Sequence, residues 1–260
     1  MDAEGGRVAW IATAPVKGLR LALRDEAVLE RSGIAGDRAY YLVDAEGRLT
    51  NAKRAGGLLR ASAEMNGAGL RVDLPDGSTV EAEVELGEAV ETSFYGRPVQ
   101  GRVVHGPWAE ALTALAGLPL TLVRADESGA GLDRGAGAAA SIVSTAALDA
   151  LAHAAGVDGP VDGRRFRMNL GIDGIAAHEE DAWLGRRVAV GEAVLVPRGN
   201  VGRCRVTCLD PEMGVRDLET LDVIDEYRAG VVTTEPLPFG VWCEVVEPGR
   251  VAVGDVVEPL

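Results

Sequence analysis

The chain has 260 residues, 47% hydrophobic and 25% charged, which fits one large or two small globular domains and excludes disorder, collagen-like repeats and coiled coil. Its 26 basic against 40 acidic residues leave a formal charge of −14, a field that repels phosphate backbones and argues against nucleic-acid binding. With 34 glycines, about twice the usual ~7%, and 4% aromatic residues, the composition favours short strands and tight turns over a helix bundle.

From the N-terminus, MDAEGGRVAW carries no signal-peptide pattern, and RVAWIATAPV reads as the first strand. AVLERSG is a strand ending in a turn. DRAYYLVDAEGRLTNAKR is a hairpin about the turn Asp44-Ala45-Glu46-Gly47. GLRVDLPDGSTVEAEV alternates on both sides of Pro75-Asp76-Gly77, and RPVQGRVV follows as a further strand. Apolar spacing predicts a helix over 107–119, stopped by Gly117 and Pro119.

The Gly/Ala-rich segment 125–140 reads as a flexible loop and divides the chain into domains at 1–124 and 141–260. A second helix is capped at Ser144-Thr145 and ends at Gly156. RFRMNLGID, RRVAVGEAVLVP, RCRVTCL, FGVWCEVVE and RVAVGDVVEP are strands, with a third helix in TLDVIDEYRAG. Strands follow strands without regular intervening helices, so the expected class is mostly β (α+β), a barrel or sandwich with a few helices.

No run reaches the ~18 apolar residues of a membrane span, so no membrane association is expected. Three cysteines, Cys204, Cys208 and Cys243, are too few and too odd for a disulfide framework, which points to the cytoplasm. Between residues 164 and 205 stand eight arginines against five acids, a cationic window in an acidic chain. Arginine's planar fork suits phosphate and carboxylate. Cys204 lies inside this window as Arg203-Cys204-Arg205, where flanking guanidiniums favour a thiolate unless a strand turns them to the opposite face. Cys208 four residues on makes a poor zinc pair, and Cys243 reads as core. His105, His153 and His178 fit no catalytic spacing; Glu179-Glu180-Asp181 reads as an exposed acidic loop or a weak cation site. Lys17 is one of only two lysines, the other being Lys53.

Taken together these segments resemble the molybdenum cofactor sulfurase C-terminal (MOSC) domain family, with its N-terminal β-barrel half, over nearly the whole chain. The resemblance rests on APVKGLR and GIAGDRAYYLVDAEGRLT, then on VDGRRFRMNLGID, EEDAWLGRRVAVGEAVL, GRCRVTCLDPEMG and EPGRVAVGDVV. It implies a MOSC β-barrel fold and binding of the molybdenum cofactor (molybdopterin). It implies that Cys204 ligates molybdenum and acts in catalysis with Asp181, and that Lys17, Arg38, Arg167 and Asn169 hold the cofactor. The family's motifs are altered at Gly18, Met168, Val201 and Cys208, where other members carry serine, proline, cysteine and threonine. The chain ends at Leu260, so the iron–sulfur domain of some bacterial members is expected to be absent, as is a desulfurase domain.

Three functions follow as expectations. The first is an oxidoreductase for N-oxygenated small molecules, fed by a separate electron-transfer protein. The second is a sulfurtransferase carrying a persulfide from a cysteine desulfurase on Cys204, with Cys208 resolving it if both sulfurs share a strand face. The third is a non-catalytic cofactor carrier.

Overall fold

The computed structural model describes residues 5–126, 132 and 137–260. In chain order its elements are β1 (Gly6–Thr13), β2 (Ala22–Arg24), β3 (Glu26–Glu30), β4 (Gly33–Ile34), β5 (Tyr40–Val43), β6 (Leu49–Thr50), β7 (Ser62–Asn66), β8 (Gly69–Asp73), β9 (Thr79–Glu83), β10 (Glu85–Phe94), β11 (Arg97–His105), α1 (Trp108–Ala116) and β12 (Thr121–Ala125). There follow β13 (Ala140–Ser144), α2 (Thr145–Ala155), β14 (Leu170–Asp173), β15 (Val188–Val190), β16 (Ala193–Gly202), α3 (Thr220–Tyr227), β17 (Pro238–Glu247), β18 (Gly249–Ala252) and β19 (Val256–Pro259). The flexible loop expected at 125–140 falls largely outside the described residues.

Two sheet systems carry the molecule. In the first half, β10-β11-β12-β5-β6 form one sheet and β7-β8-β9 another. They close over a core in which Trp108, fully buried, donates its indole N–H to the Leu70 carbonyl at 2.9 Å. In the second half the order β14-β13-β17-β16-β15-β19-β1 closes on itself through a β1–β14 pairing, giving a barrel with β2 appended. Its interior is Val, Ile and Leu from alternate strand positions, with Trp183 as its one large aromatic.

The barrel takes its first strand from the N-terminus. β1 pairs with β14, β19 and β2, and β3 pairs with β18. A division at 125–140 therefore leaves β1 and β3 across the boundary from the second-half strands they pair with. β13 and β14 run parallel, which requires a crossover, and α2 supplies it. Register shifts at three places mark irregularities between β16 and β17, the two longest barrel strands, and β16 runs on into the segment that carries Cys204.

The two halves also meet backbone to backbone at Gly56 and Gly214. A Cβ on either would run into the other's carbonyl oxygen. This contact holds the segment just beyond Cys204 against the first half.

Two segments depart from their sequence reading, while the helix stops do not. Both helix stops at Gly117 and Gly156 take the left-handed conformation as expected. Ser144 occupies the N-cap position of α2, but its hydroxyl accepts the His178 N–H at 3.0 Å instead of capping the helix. RCRVTCL is not a strand: Cys204 is extended and Arg205–Cys208 form a 3-10 turn. Among the described residues no helix is long and apolar enough to cross a membrane.

Candidate functional site

A cavity of about 410 Å³ lies at the seam between the two halves. Lys17 and Gly18 reach it from the turn after β1, and Arg38 from the residues before β5. Arg167 and Asn169 come from the segment before β14, and Cys204 from the turn after β16. Residues spread from position 17 to position 204 thus share one wall. Asp181, which the family resemblance also implicates, does not line it.

The wall is held by a buried polar knot. Asp37, 1% exposed, accepts the Ala14 N–H at 2.7 Å with one oxygen. Its other oxygen accepts the Asn169 side-chain amide at 3.0 Å and pairs with the Arg38 guanidinium. Arg38 reaches on to the Arg167 carbonyl at 2.9 Å. Asn169 is fully buried; its side chain also donates to the Ala12 carbonyl and accepts from the Ser141 hydroxyl. Both ends of its amide are thus engaged with protein, which makes Asn169 a brace for the wall. The sequence reading passed over Asp37, the centre of this knot, although it directly precedes Arg38 in GIAGDRAYY.

Backbone strain concentrates here. Five non-glycine residues among those described have positive φ: Arg38 (53°), Tyr95 (51°), Arg167 (54°), His178 (61°) and Leu237 (49°). Three of the five line the cavity. Such conformations cost energy in ordinary side chains and persist where surrounding structure imposes them, commonly at functional sites.

Half of the eight arginines in the cationic window pair with acids from outside it. Arg164 pairs with Asp162 and Glu212, Arg187 with Glu247, and Arg198 with Glu244. Arg165 lines the cavity but is clamped by both oxygens of Asp217 at 2.7 and 2.5 Å and by the Leu209 carbonyl. Arg203 donates to the Phe166 and Phe239 carbonyls and lies over the Phe166 ring.

Cys204 is exposed, whereas Cys208 is buried with its sulfur 3.4 Å from the Thr220 hydroxyl. The condition for Cys208 to resolve a persulfide, both sulfurs on one strand face, is not met, because Arg205–Cys208 form a 3-10 turn. Among the described residues no three His, Cys, Asp or Glu side chains converge as a metal cage.

The acidic loop is likewise not what its composition implied. Asp181 accepts the Asn200 side-chain amide at 2.7 Å and pairs with Arg228 at 2.5 Å, which ties the turn to α3 and removes its carboxylate from the cavity. Glu180 is 0% exposed, receiving the Ser144 N–H on one oxygen, and burial pushes its carboxyl up to about 7. Beside it His178 bonds the Tyr227 hydroxyl at 2.8 Å; burial, helped by the Arg228 charge, pulls its pKa down to about 4.

The MOSC domain model matches residues 130–258, and the model of the MOSC N-terminal beta barrel domain matches residues 5–110. No curated protein matches the chain in sequence. Among solved structures, the YuaD protein of Bacillus subtilis is 14% identical over 98% of this chain and 94% of its own, with a TM-score of 0.45. YiiM of Escherichia coli is 15% identical over 52% of this chain and 58% of its own, with a TM-score of 0.35.

Proposed function

This chain belongs to the MOSC domain family and carries the family's N-terminal barrel domain, and from that premise we propose that it binds the molybdenum cofactor and reduces N-oxygenated small molecules with electrons from a separate electron-transfer protein. The observation that supports this reading is the convergence of Cys204 with Lys17, Arg38 and Arg167 on one cavity of about 410 Å³.

The side chains present fit such a group chemically. A pterin phosphate calls for cations, and Lys17, Arg38, Arg165, Arg167 and Arg203 all line this cavity, Arg38 and Arg165 also pairing with Asp37 and Asp217. A soft metal calls for a thiolate, and the exposed thiol on this wall is Cys204. When bound, the cofactor supplies the two-electron chemistry.

The chain's own residues do the positioning. Arg38 fixes the Arg167 carbonyl and so the left-handed turn that presents the Arg167 side chain. Asp37 and Asn169 hold that arrangement rigid through buried hydrogen bonds, which cost no reorganisation at the moment of reaction. Cys204 is set by the turn behind it, where the Thr207 N–H and hydroxyl both donate to the Cys204 carbonyl at 3.0 Å.

The exposure of Cys204 also favours a second reading, in which a desulfurase persulfide transfers its outer sulfur to the Cys204 thiolate and leaves as a thiolate itself. Cys208 would take no part in that reaction, being buried against Thr220.

The test is reduction of an N-oxide by protein made in a host that synthesises molybdenum cofactor, with a chemically reduced dye as donor. Turnover in the wild type and none in Cys204→Ser supports the reductase. A Cys204 persulfide in mass spectra, with no turnover, moves the assignment to sulfur transfer.

A further inference from the structure

Tyr95 holds a left-handed backbone position that usually belongs to glycine or asparagine. β10 and β11 are joined by a two-residue turn, Tyr95-Gly96, flanked by the Phe94–Arg97 pair. Both central residues have positive φ, 51° and 86°. Hairpins of this kind favour Asn, Asp or Gly at the first central position, because a bulky side chain is strained there. Gly96 meets the rule and Tyr95 breaks it.

The hairpin end is firmly placed. Phe94 is fully buried and packs edge-on against Tyr41, with ring centroids 4.9 Å apart. Arg97 donates to the Leu132 carbonyl at 3.2 Å. The strained tyrosine is therefore carried on a rigid support, yet its own side chain is 68% exposed and lines the cavity. Of the other cavity aromatics, Phe166 is buried and stacked on Phe239 with centroids 4.0 Å apart, and the Trp242 indole packs on Gly199.

We propose that Tyr95 is a specificity-determining residue whose exposed ring, held at the cavity mouth by a strained turn, stacks on a planar aromatic substrate. The inference rests on the reading that substrates enter this cavity toward Cys204, and it adds the substrate class. A phenol ring is large, stiff and costs little entropy to order, so it serves as a stacking wall.

The test compares wild type, Tyr95→Phe and Tyr95→Asn, each purified from a host that makes molybdenum cofactor. Binding of quinoline N-oxide, planar, and of N-methylmorpholine N-oxide, non-planar, is measured by calorimetry. Tyr95→Asn should bind quinoline N-oxide about tenfold more weakly, Tyr95→Phe within about twofold of wild type, and the non-planar probe equally in all three. Asparagine suits the turn better, so the melting midpoint of Tyr95→Asn should rise by about 2 °C while molybdenum content stays constant.

A wild type that binds neither probe or both alike overturns the proposal, and so does equal weakening of the two. A lowered melting midpoint would make Tyr95 a fold residue, and lost molybdenum would place its ring on the cofactor; each contradicts a substrate role. The ring preference retained without turnover of any N-oxide would overturn the reductase reading and leave this one standing.

Discussion

Asn169 donates its side-chain amide to the carboxylate of Asp37 at 3.0 Å, a bond between residues 132 positions apart that ties the β14 approach to the G-D-R turn of the first half. The same carboxylate pairs with buried Arg38, so its removal breaks a buried ion pair as well. Asp37→Ala should lose about 3–5 kcal/mol in urea unfolding, and Asp37→Asn less, since the amide still accepts hydrogen bonds. Equal, small losses in both would show that the knot does not brace the cavity.

The three cysteines should separate by reactivity. In protein made without cofactor, one thiol per chain should react at once with a disulfide reagent, and Cys204→Ser should abolish that fast phase. Cys208 and Cys243 are buried, and burial raises the Cys243 thiol far above its usual range. Both should react only on unfolding.

Glu180 and His178 predict opposite pH dependences. The Glu180 carboxyl is raised from 4.5 to about 7 in the folded protein, so its contribution is full below about 4.5 and is lost as pH rises toward 7. The His178 imidazole is depressed from 6.5 to about 4, so its contribution is full above about 6.5 and is lost as pH falls toward 4. Each shift is worth roughly 3 kcal/mol, and together the two nearly cancel between pH 4 and 7. Glu180→Gln should therefore unmask stability that grows with pH, and His178→Gln stability that declines with it. Urea midpoints at pH 4.5, 5.5 and 7 read the slopes, and slopes of the same sign in both variants would contradict the burial argument.

Gly18 replaces the serine of the family motif, and its surroundings have closed in. Its φ is +100°, and a Cβ there would lie 3.1 Å from Asn51 Cα. Restoring the serine should therefore destabilise the protein by about 1–2 kcal/mol. Thermal unfolding checks this, and an unchanged midpoint would show that the Asn51–Lys53 turn gives way.

The barrel was legible because its strands alternate and its turns carry glycine at the helix stops and hairpins. The cavity was legible through motif position: Lys17, Arg38, Arg167 and Cys204 do converge. What sequence could not supply was direction. Arg203 adjoins Cys204 yet points into the carbonyls of Phe166 and Phe239, because no strand continues there to turn it outward. Asp181 lies in a motif that suggests the site, but Arg228 and Asn200 from other elements capture it. Tyr95 is set apart by its backbone angle and by the cavity beside it, both of which emerge only on folding.

The most direct test of the account is molybdenum per chain, measured by elemental analysis on wild type and Cys204→Ala from a host that makes the cofactor. Near-stoichiometric metal in the wild type, lost in the variant while its thermal unfolding is unchanged, is the predicted result. Absence of molybdenum from both would contradict cofactor binding at Cys204, and equal metal in both would place its ligand elsewhere.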